Sequence, residues 1–149
     1  YCYLSTQTGV CRRSAQSKGY SLPYDRTGLF SNSPAWNAEK ITTPLLMQLA
    51  EVEYRSMMQL YAALVDYERA VEMYIFPDAY HYKHQPRQRL SVYDRNVEWI
   101  EFWLRGAENH DSPRSGQYSR WRNMREKQCM EFSARLSMPA SAWYCATLH

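Results

Sequence analysis

Three side chains of this sequence could carry out acid–base chemistry together: His81, Glu53 and Glu51. His81 lies in a loop that follows the short apolar run Val71–Phe76 and a Pro-Asp pair. The two glutamates follow an earlier apolar run that ends at Leu49. A carboxylate that orients a histidine allows this histidine to act as a general base toward a nucleophile. The two loops therefore predict an acid–histidine pair.

Each of these residues also has a structural explanation. A histidine in a loop after a strand is more often a surface residue than a catalytic base. Glu51 and Glu53 stand at the start of a predicted helix, where acidic side chains commonly complement the helix dipole. The other three histidines have no partner at a telling spacing and are interpreted as solvated: His84, His110 and His149. The spacing of the residues alone leaves both explanations open.

The elements that must position these side chains lie between residues 38 and 105. Thr43–Leu49 is an apolar run typical of a strand buried on both faces, and residues 70–76 predict a second strand that Pro77 ends. Between them, apolar residues at helical spacing predict a helix with one packing face: Tyr54, Met57, Met58, Tyr61, Leu64 and Val65. The order β-α-β-α favours a parallel sheet covered by helices. The carboxyl edge of such a sheet would bring the two loops side by side.

The helix after His81 is the best defined of the predicted elements. Pro86 fits its first turn and Gly106 fits a left-handed C-cap. Trp99, Phe102 and Trp103 widen its apolar surface. Its helical period is formed by five residues that we expect in the core: Leu90, Tyr93, Val97, Ile100 and Leu104. Further on, Gln117–Gln128 predicts a short amphipathic helix, and no structure is predicted from Met130 onward.

The chain divides into three predicted parts. Residues 1–37 are an irregular connective segment, and residues 38–106 form the α/β part. Residues 107–149 form a polar linker, the short helix and a poorly defined tail.

Composition excludes several classes of function. The net charge is only +3 and basic residues alternate with acids, so no nucleic-acid partner is expected. No run approaches the roughly 20 apolar residues of a membrane span, and the first residues lack the basic region of a signal peptide. These observations favour a cytoplasmic protein without a membrane partner.

Cysteine spacing indicates neither a metal site nor a cofactor. The four cysteines form no Cys-x-x-Cys pair, which argues against zinc. A disulfide between Cys2 and Cys11 is one alternative, and free thiols in a reducing compartment are the preferred interpretation for all four, Cys2, Cys11, Cys129 and Cys145.

Three stretches of the sequence resemble one family. They are residues 33–47, 71–81 and 93–104. They look like the C-terminal part of the catalytic domain of prolyl-oligopeptidase-type (S9) serine peptidases. The stretches Gln-Leu-x-Glu-x-Glu-Tyr-Arg, from Gln48, and Glu-Met-Tyr-x-Phe-Pro-Asp-x-x-His, ending at His81, are most similar to the lasso-peptide isopeptidase branch. The resemblance covers about residues 33–106 and is weaker over residues 116–128.

The resemblance implies a partial α/β-hydrolase fold, namely the C-terminal β-α-β-α portion of a mostly parallel sheet. It places His81 on the family's catalytic histidine. The family's usual Gly-x-x-Asp-Asp loop is replaced here by the shorter Leu49–Glu53, so Glu53 is the first candidate for the acid and Glu51 the second. It implies no cofactor. A peptide, in that branch a lasso peptide, is the implied substrate.

The nucleophile of the family has no counterpart in the sequence. A nucleophile elbow needs Gly-x-Ser-x-Gly, and the five glycines, at positions 9, 19, 28, 106 and 116, never flank a serine in this way. The resemblance therefore implies that the serine belongs to a missing N-terminal part of the same protein and that this chain alone is inactive. A noncatalytic remnant or a binding module that retains the α/β scaffold is the alternative function.

Overall fold

A computed structural model describes residues 31–135 of the chain. Its elements follow one another in the order β-α-β-α-α after an initial 3₁₀ helix: Ala35–Lys40 (3₁₀), β1 (Leu45–Ala50), α1 (Tyr54–Asp66), β2 (Val71–Phe76), α2 (Pro86–Arg105) and α3 (Gln117–Arg135). β1 and β2 pair in parallel, with Leu45 opposite Val71 and Ala50 opposite Phe76. The parallel pairing and the helical connections confirm the predicted α/β fold class.

One face of the sheet packs on α1 and the 3₁₀ helix. Met47 and Val71 form a buried cluster there with Leu64 of α1 and Ala38 of the 3₁₀ helix. The prediction of the packing face of α1 is only partly confirmed. Met58 and Val65 are exposed, whereas Leu60 and Ala63 pack against the cluster. A sheet of two strands is narrow and covers only part of the apolar surface of the helix.

The opposite face of the sheet packs on an aromatic cluster from α2 and α3. Trp99 and Phe102 of α2 meet Tyr118 and Trp121 of α3, and Leu46 of β1 packs against them. The rings of Trp99 and Trp121 lie edge to face, with centroids 5.0 Å apart. Such aromatic pairs stabilise a core by about 0.5–1.5 kcal/mol beyond the burial of their area. This cluster fixes α2 and α3 on the sheet.

The face of α2 that we expected in the core is exposed. Its five apolar residues are between 52% and 70% exposed: Leu90, Tyr93, Val97, Ile100 and Leu104. The buried side of α2 instead contains Arg95 and Glu98 beside the two aromatic residues of the cluster. Arg95 stacks on the ring of Tyr74, with 3.5 Å between its guanidinium carbon and the ring centroid. The side of α2 that faces the sheet therefore combines aromatic residues with charged residues that have partners elsewhere in the fold.

Glu98 ties α2 to the start of α3. Its carboxylate accepts hydrogen bonds from Gln117 Nε2 at 2.7 Å and from two nitrogens of Arg114 at 3.2 Å. Burial alone would raise the pKa of Glu98, but the hydrogen bonds from Ser112, Arg114 and Gln117 outweigh it and hold the pKa below its usual value. The charged form of Glu98 thus stabilises this corner of the fold.

Glu72 of β2 holds the first turns of α3 in the same manner. Its carboxylate accepts hydrogen bonds from Trp121 Nε1 at 3.0 Å, from Arg120 Nη2 at 2.7 Å and from the hydroxyl of Tyr74 at 2.9 Å. Burial, together with this contact to Glu72, raises the pKa of the Tyr74 hydroxyl. A carboxylate with this many donors is fully compensated for its loss of water.

α3 is longer than the predicted short helix. The prediction ended at Gln128, whereas the helix continues through Arg135. Cys129 in this extension is disulfide-bonded, so the expectation of free thiols is wrong for this residue. The other three cysteines lie outside the described residues. By contrast, the predicted ends of α2 are confirmed: Pro86 begins the helix and Gly106 caps it with a left-handed φ of 68°.

Candidate active site

The turn from β1 into α1 positions Glu53. The backbone N–H of Glu51 donates to the carbonyl of Phe76 at 3.1 Å, which extends the strand pairing by one residue. The N–H of Glu53 then donates to the carbonyl of Ala50 at 2.9 Å. Ser56 in the first turn of α1 donates its hydroxyl to the carbonyl of Glu53 at 2.7 Å. Glu53 is therefore held by backbone contacts on both sides.

The turn after β2 positions His81. Pro77 ends the strand, and Asp78 adopts a φ of 53°, a left-handed conformation that aspartate tolerates better than most residues. Glu51 Oε2 accepts a hydrogen bond from the backbone N–H of Asp78 at 3.0 Å. Gln88 of α2 donates to the carbonyl of Pro77 at 3.1 Å. The turn is thus tied both to the neighbouring loop and to α2.

Glu53 and His81 meet between these two turns. Glu53 Oε1 lies 2.6 Å from His81 Nδ1, and 28% of the Glu53 side chain and 74% of the His81 side chain are exposed. An ionised carboxylate only accepts hydrogen bonds, so the proton of this contact is assigned to Nδ1. The lone pair of Nε2 in the neutral ring is then available to accept a proton.

The structure separates the two candidate acids. It brings Glu53 to His81, whereas Glu51 binds the backbone of Asp78 and has no hydrogen bond to the histidine ring. Glu51 thereby supports the turn that carries His81. The assignment of catalytic roles to His81 and Glu53 remains a prediction.

An open cleft of about 450 Å³ lies beside His81. It is lined by residues of the His81 loop and the first turns of α2: His81, Tyr82, Lys83, His84, Arg89, Val92 and Tyr93. Sequence reasoning did not assign a role to Lys83 or Arg89. The available signal was the charge of residues 79–93, which include three Lys or Arg residues and no Asp or Glu. The cleft is therefore positively charged.

Within residues 31–135, no group of three or more His, Cys, Asp or Glu side chains is arranged to hold a metal ion. None of the helices in this range is long and apolar enough to cross a membrane.

Comparison with known proteins identifies an isopeptidase relative. No family model matches the sequence. The chain is 35% identical over 121 residues to lasso peptide isopeptidase AtxE2 of Asticcacaulis excentricus, and the match covers 76% of this chain and 17% of that protein. The chain is thus similar to the lasso-peptide isopeptidase branch. It corresponds to a C-terminal part of such a protein.

Two solved structures of AtxE2 isopeptidase share the fold. A serine-to-alanine variant with Astexin3-dC4 bound gives a TM-score of 0.68 at 33% identity, over 76% of this chain and 18% of the other. The apo form gives a TM-score of 0.66 at 32% identity, over 79% of this chain and 18% of the other. These matches confirm the predicted partial α/β fold of the isopeptidase branch. They concern less than a fifth of the isopeptidase chain.

Proposed function

We propose that this chain carries the histidine and the acid of a serine-type hydrolase that cleaves a peptide or isopeptide bond. The observation that carries the proposal is the 2.6 Å contact between Glu53 and His81 on neighbouring loops at the carboxyl edge of the sheet. Similarity to a lasso peptide isopeptidase supports this type of hydrolase. The relative with Astexin3-dC4 bound supports a peptide as the substrate, and the relative's name, lasso peptide isopeptidase, favours a lasso peptide.

The proposed mechanism follows from the proton positions. His81 Nε2 takes the hydroxyl proton of the serine while the serine oxygen forms a bond to the scissile carbonyl carbon, whose oxygen becomes an oxyanion. Glu53 stays ionised and stabilises the imidazolium through Nδ1–H. When the carbon–nitrogen bond breaks, Nε2 returns the proton to the leaving amine. Water then repeats the sequence and releases the acyl group from the serine.

The serine of this mechanism must come from outside the chain. No Gly-x-Ser-x-Gly occurs in the sequence, and without the nucleophile the acid–histidine pair has no hydroxyl to activate. We therefore propose that a longer protein, which includes this sequence as its C-terminal part, is the active form. The 149 residues alone should not react with a fluorophosphonate probe. The same absence is the observation that favours the second candidate, a noncatalytic remnant or binding module.

The first test is the DNA upstream of the codon for Tyr1. An in-frame Gly-x-Ser-x-Gly codes for the predicted nucleophile, whereas a stop codon or an unrelated sequence contradicts the hydrolase proposal for this gene product and favours the second candidate.

The second test measures hydrolysis by the longer protein. The substrate is a peptide closed by an isopeptide bond, and mass spectrometry detects the addition of one water. His81→Ala should lower the hydrolysis rate by about 10²–10⁴-fold because the general base is lost. His110→Ala is the matched control, since His110 is an exposed histidine beyond the end of α2. Full hydrolysis by the His81→Ala variant would contradict the proposed role of His81.

A further inference from the structure

Two cations in the cleft beside His81 lack a carboxylate partner among residues 31–135. Lys83 Nζ contacts two backbone carbonyls, those of Gln48 and His81, both at 3.5 Å, and lies 5.8 Å from the centroid of the Phe76 ring. Arg89 has an exposed side chain and no ion pair with any described residue. Neither cation is needed to neutralise a charge of the described fold.

Two other arginines of the fold do pair with carboxylates. Arg114 pairs with Glu98 at 3.2 Å, and Arg120 pairs with Glu72 at 2.7 Å. The carboxylate of Glu53, beside the cleft residue His81, is engaged with the Nδ1 of that histidine. No Asp or Glu is among the described residues that line the cleft. An anion that entered this cleft would meet attraction from Lys83 and Arg89 without repulsion from the lining.

Aromatic side chains form the remaining walls. Tyr82 is 76% exposed and Tyr93 is 62% exposed, and both line the cleft together with Val92. Exposed tyrosines supply rigid contact area with a polar end, which suits the binding of a peptide. The volume of about 450 Å³ is within the usual range of about 300–1,000 Å³ for ligand sites. The cleft can therefore accommodate a side chain and adjacent backbone of a peptide.

We infer that Lys83 and Arg89 bind a carboxylate of the peptide substrate next to the bond that His81 helps to cleave. This inference rests on the proposed function, because it assigns the cleft to the same substrate. Arg89 can bind a carboxylate through two parallel hydrogen bonds, and Lys83 adds a point charge. The carboxylate belongs either to an Asp or Glu side chain or to the C-terminus of the peptide.

Direct binding tests the inference without any need for catalysis. The 149-residue chain is immobilised at low density, which prevents self-association, and surface plasmon resonance gives the Kd of three peptides. The first is acetyl-Gly-Phe-Glu-Phe-Gly-amide, the second has Gln in place of Glu, and the third is the Gln peptide with a free C-terminal carboxylate. We expect the Glu peptide or the free-acid peptide to bind at least about tenfold more tightly than the neutral one. The peptide that gains affinity identifies the source of the carboxylate.

Substitution of the two cations in the cleft should remove the preference for a peptide that carries a carboxylate. Lys83→Gln combined with Arg89→Gln should bring the Kd of the acidic and neutral peptides together, whereas Lys83→Arg should retain the preference. Arg87→Gln is the matched control, since Arg87 is an exposed arginine of the same turn that does not line the cleft. Equal Kd values for all three peptides on the unsubstituted chain would overturn the inference. It would also be overturned if Arg87→Gln reduced the preference for the acidic peptide as much as the double substitution of Lys83 and Arg89 does.

The binding result is independent of the proposed hydrolysis. If His81→Ala leaves hydrolysis intact while the charge preference depends on Lys83 and Arg89, the proposed function fails and the carboxylate site stands. If His81→Ala abolishes hydrolysis but the three peptides bind alike, the carboxylate site fails and the proposed function stands.

Discussion

Glu53 Oε1 lies 2.6 Å from His81 Nδ1, although the two residues are 28 positions apart in the sequence. The contact follows from the pairing of the strands, in which Ala50 at the end of β1 lies opposite Phe76 at the end of β2. Both loops therefore leave the sheet at the same edge. A change of strand register would separate the acid from the histidine.

Removal of the Glu72 carboxylate should destabilise the fold. Glu72→Ala leaves the buried Trp121 Nε1 without an acceptor, and Arg120 loses its ion pair at 2.7 Å. Because Arg120 is half exposed and can turn to water, we expect a loss of about 1–3 kcal/mol in the free energy of unfolding. Urea unfolding followed by tryptophan fluorescence measures this loss.

The surface pair of Glu101 and Arg105 provides the control for this substitution. The two residues are one helical turn apart on α2, with 3.0 Å between the guanidinium and the carboxylate. Glu101→Ala should cost no more than about 0.5 kcal/mol. A cost for Glu101→Ala equal to that for Glu72→Ala would show that burial of Glu72 contributes nothing.

The free energy of unfolding should fall in acid because of Glu98. Hydrogen bonds from Ser112, Arg114 and Gln117 hold the pKa of Glu98 below its usual value in the folded chain. A depressed pKa means that the contribution is complete above the unfolded pKa of about 4.3 and is lost as the pH falls through the lower folded pKa. Urea unfolding between neutral pH and this acidic range measures the change.

Glu98→Gln separates this effect from general acid denaturation. The variant should be less stable at neutral pH and should show a smaller loss on acidification, since the titrating group is absent. An unchanged slope of stability against pH in the variant would exclude Glu98 as the source.

The exposed face of α2 should cause the isolated chain to self-associate. The chain corresponds to less than a fifth of the length of its isopeptidase relative. Five large hydrophobic side chains lie exposed along α2: Leu90, Tyr93, Val97, Ile100 and Leu104. Replacement of Val97 and Ile100 by Gln should reduce self-association in sedimentation experiments with little effect on stability, usually within about 0.5 kcal/mol for surface positions.

Substitution of Phe102, on the buried side of α2, should lower the stability of the fold strongly. It is fully buried in the aromatic cluster, and Phe102→Ala should cost about 3–5 kcal/mol. If the double substitution at Val97 and Ile100 destabilises the chain as much as Phe102→Ala does, those two residues belong to the core of the isolated chain.

Local signals in the sequence predicted the parts of the fold that depend on neighbouring residues. Pro86 and Gly106 marked the ends of α2 because a missing N–H and a left-handed φ are properties of single residues. The strands were found from short apolar runs. The loop of Glu53 was placed beside that of His81 because parallel strands end at one edge of the sheet.

Contacts between distant residues account for what the sequence did not predict. Both sides of α2 carry apolar residues, and the buried side packs Trp99 and Phe102 against α3 while Arg95 contacts Tyr74 and Glu98 contacts Arg114. The helical period does not reveal these partners. The cleft was missed for a similar reason, since Arg89 and His81 are brought together only by the start of α2 folding back on the loop.

The choice between Glu53 and Glu51 is tested most directly by the rate at which a fluorophosphonate probe labels the serine of the longer protein. Glu53→Gln should slow labelling by about 10²–10⁴-fold, because the histidine loses the carboxylate that fixes its Nδ1 proton. Glu51→Gln should label at nearly the unsubstituted rate, since an amide oxygen can still accept the hydrogen bond from Asp78. Unchanged labelling of the Glu53→Gln variant, or equal slowing of both variants, would contradict the assignment of Glu53 as the acid that orients His81.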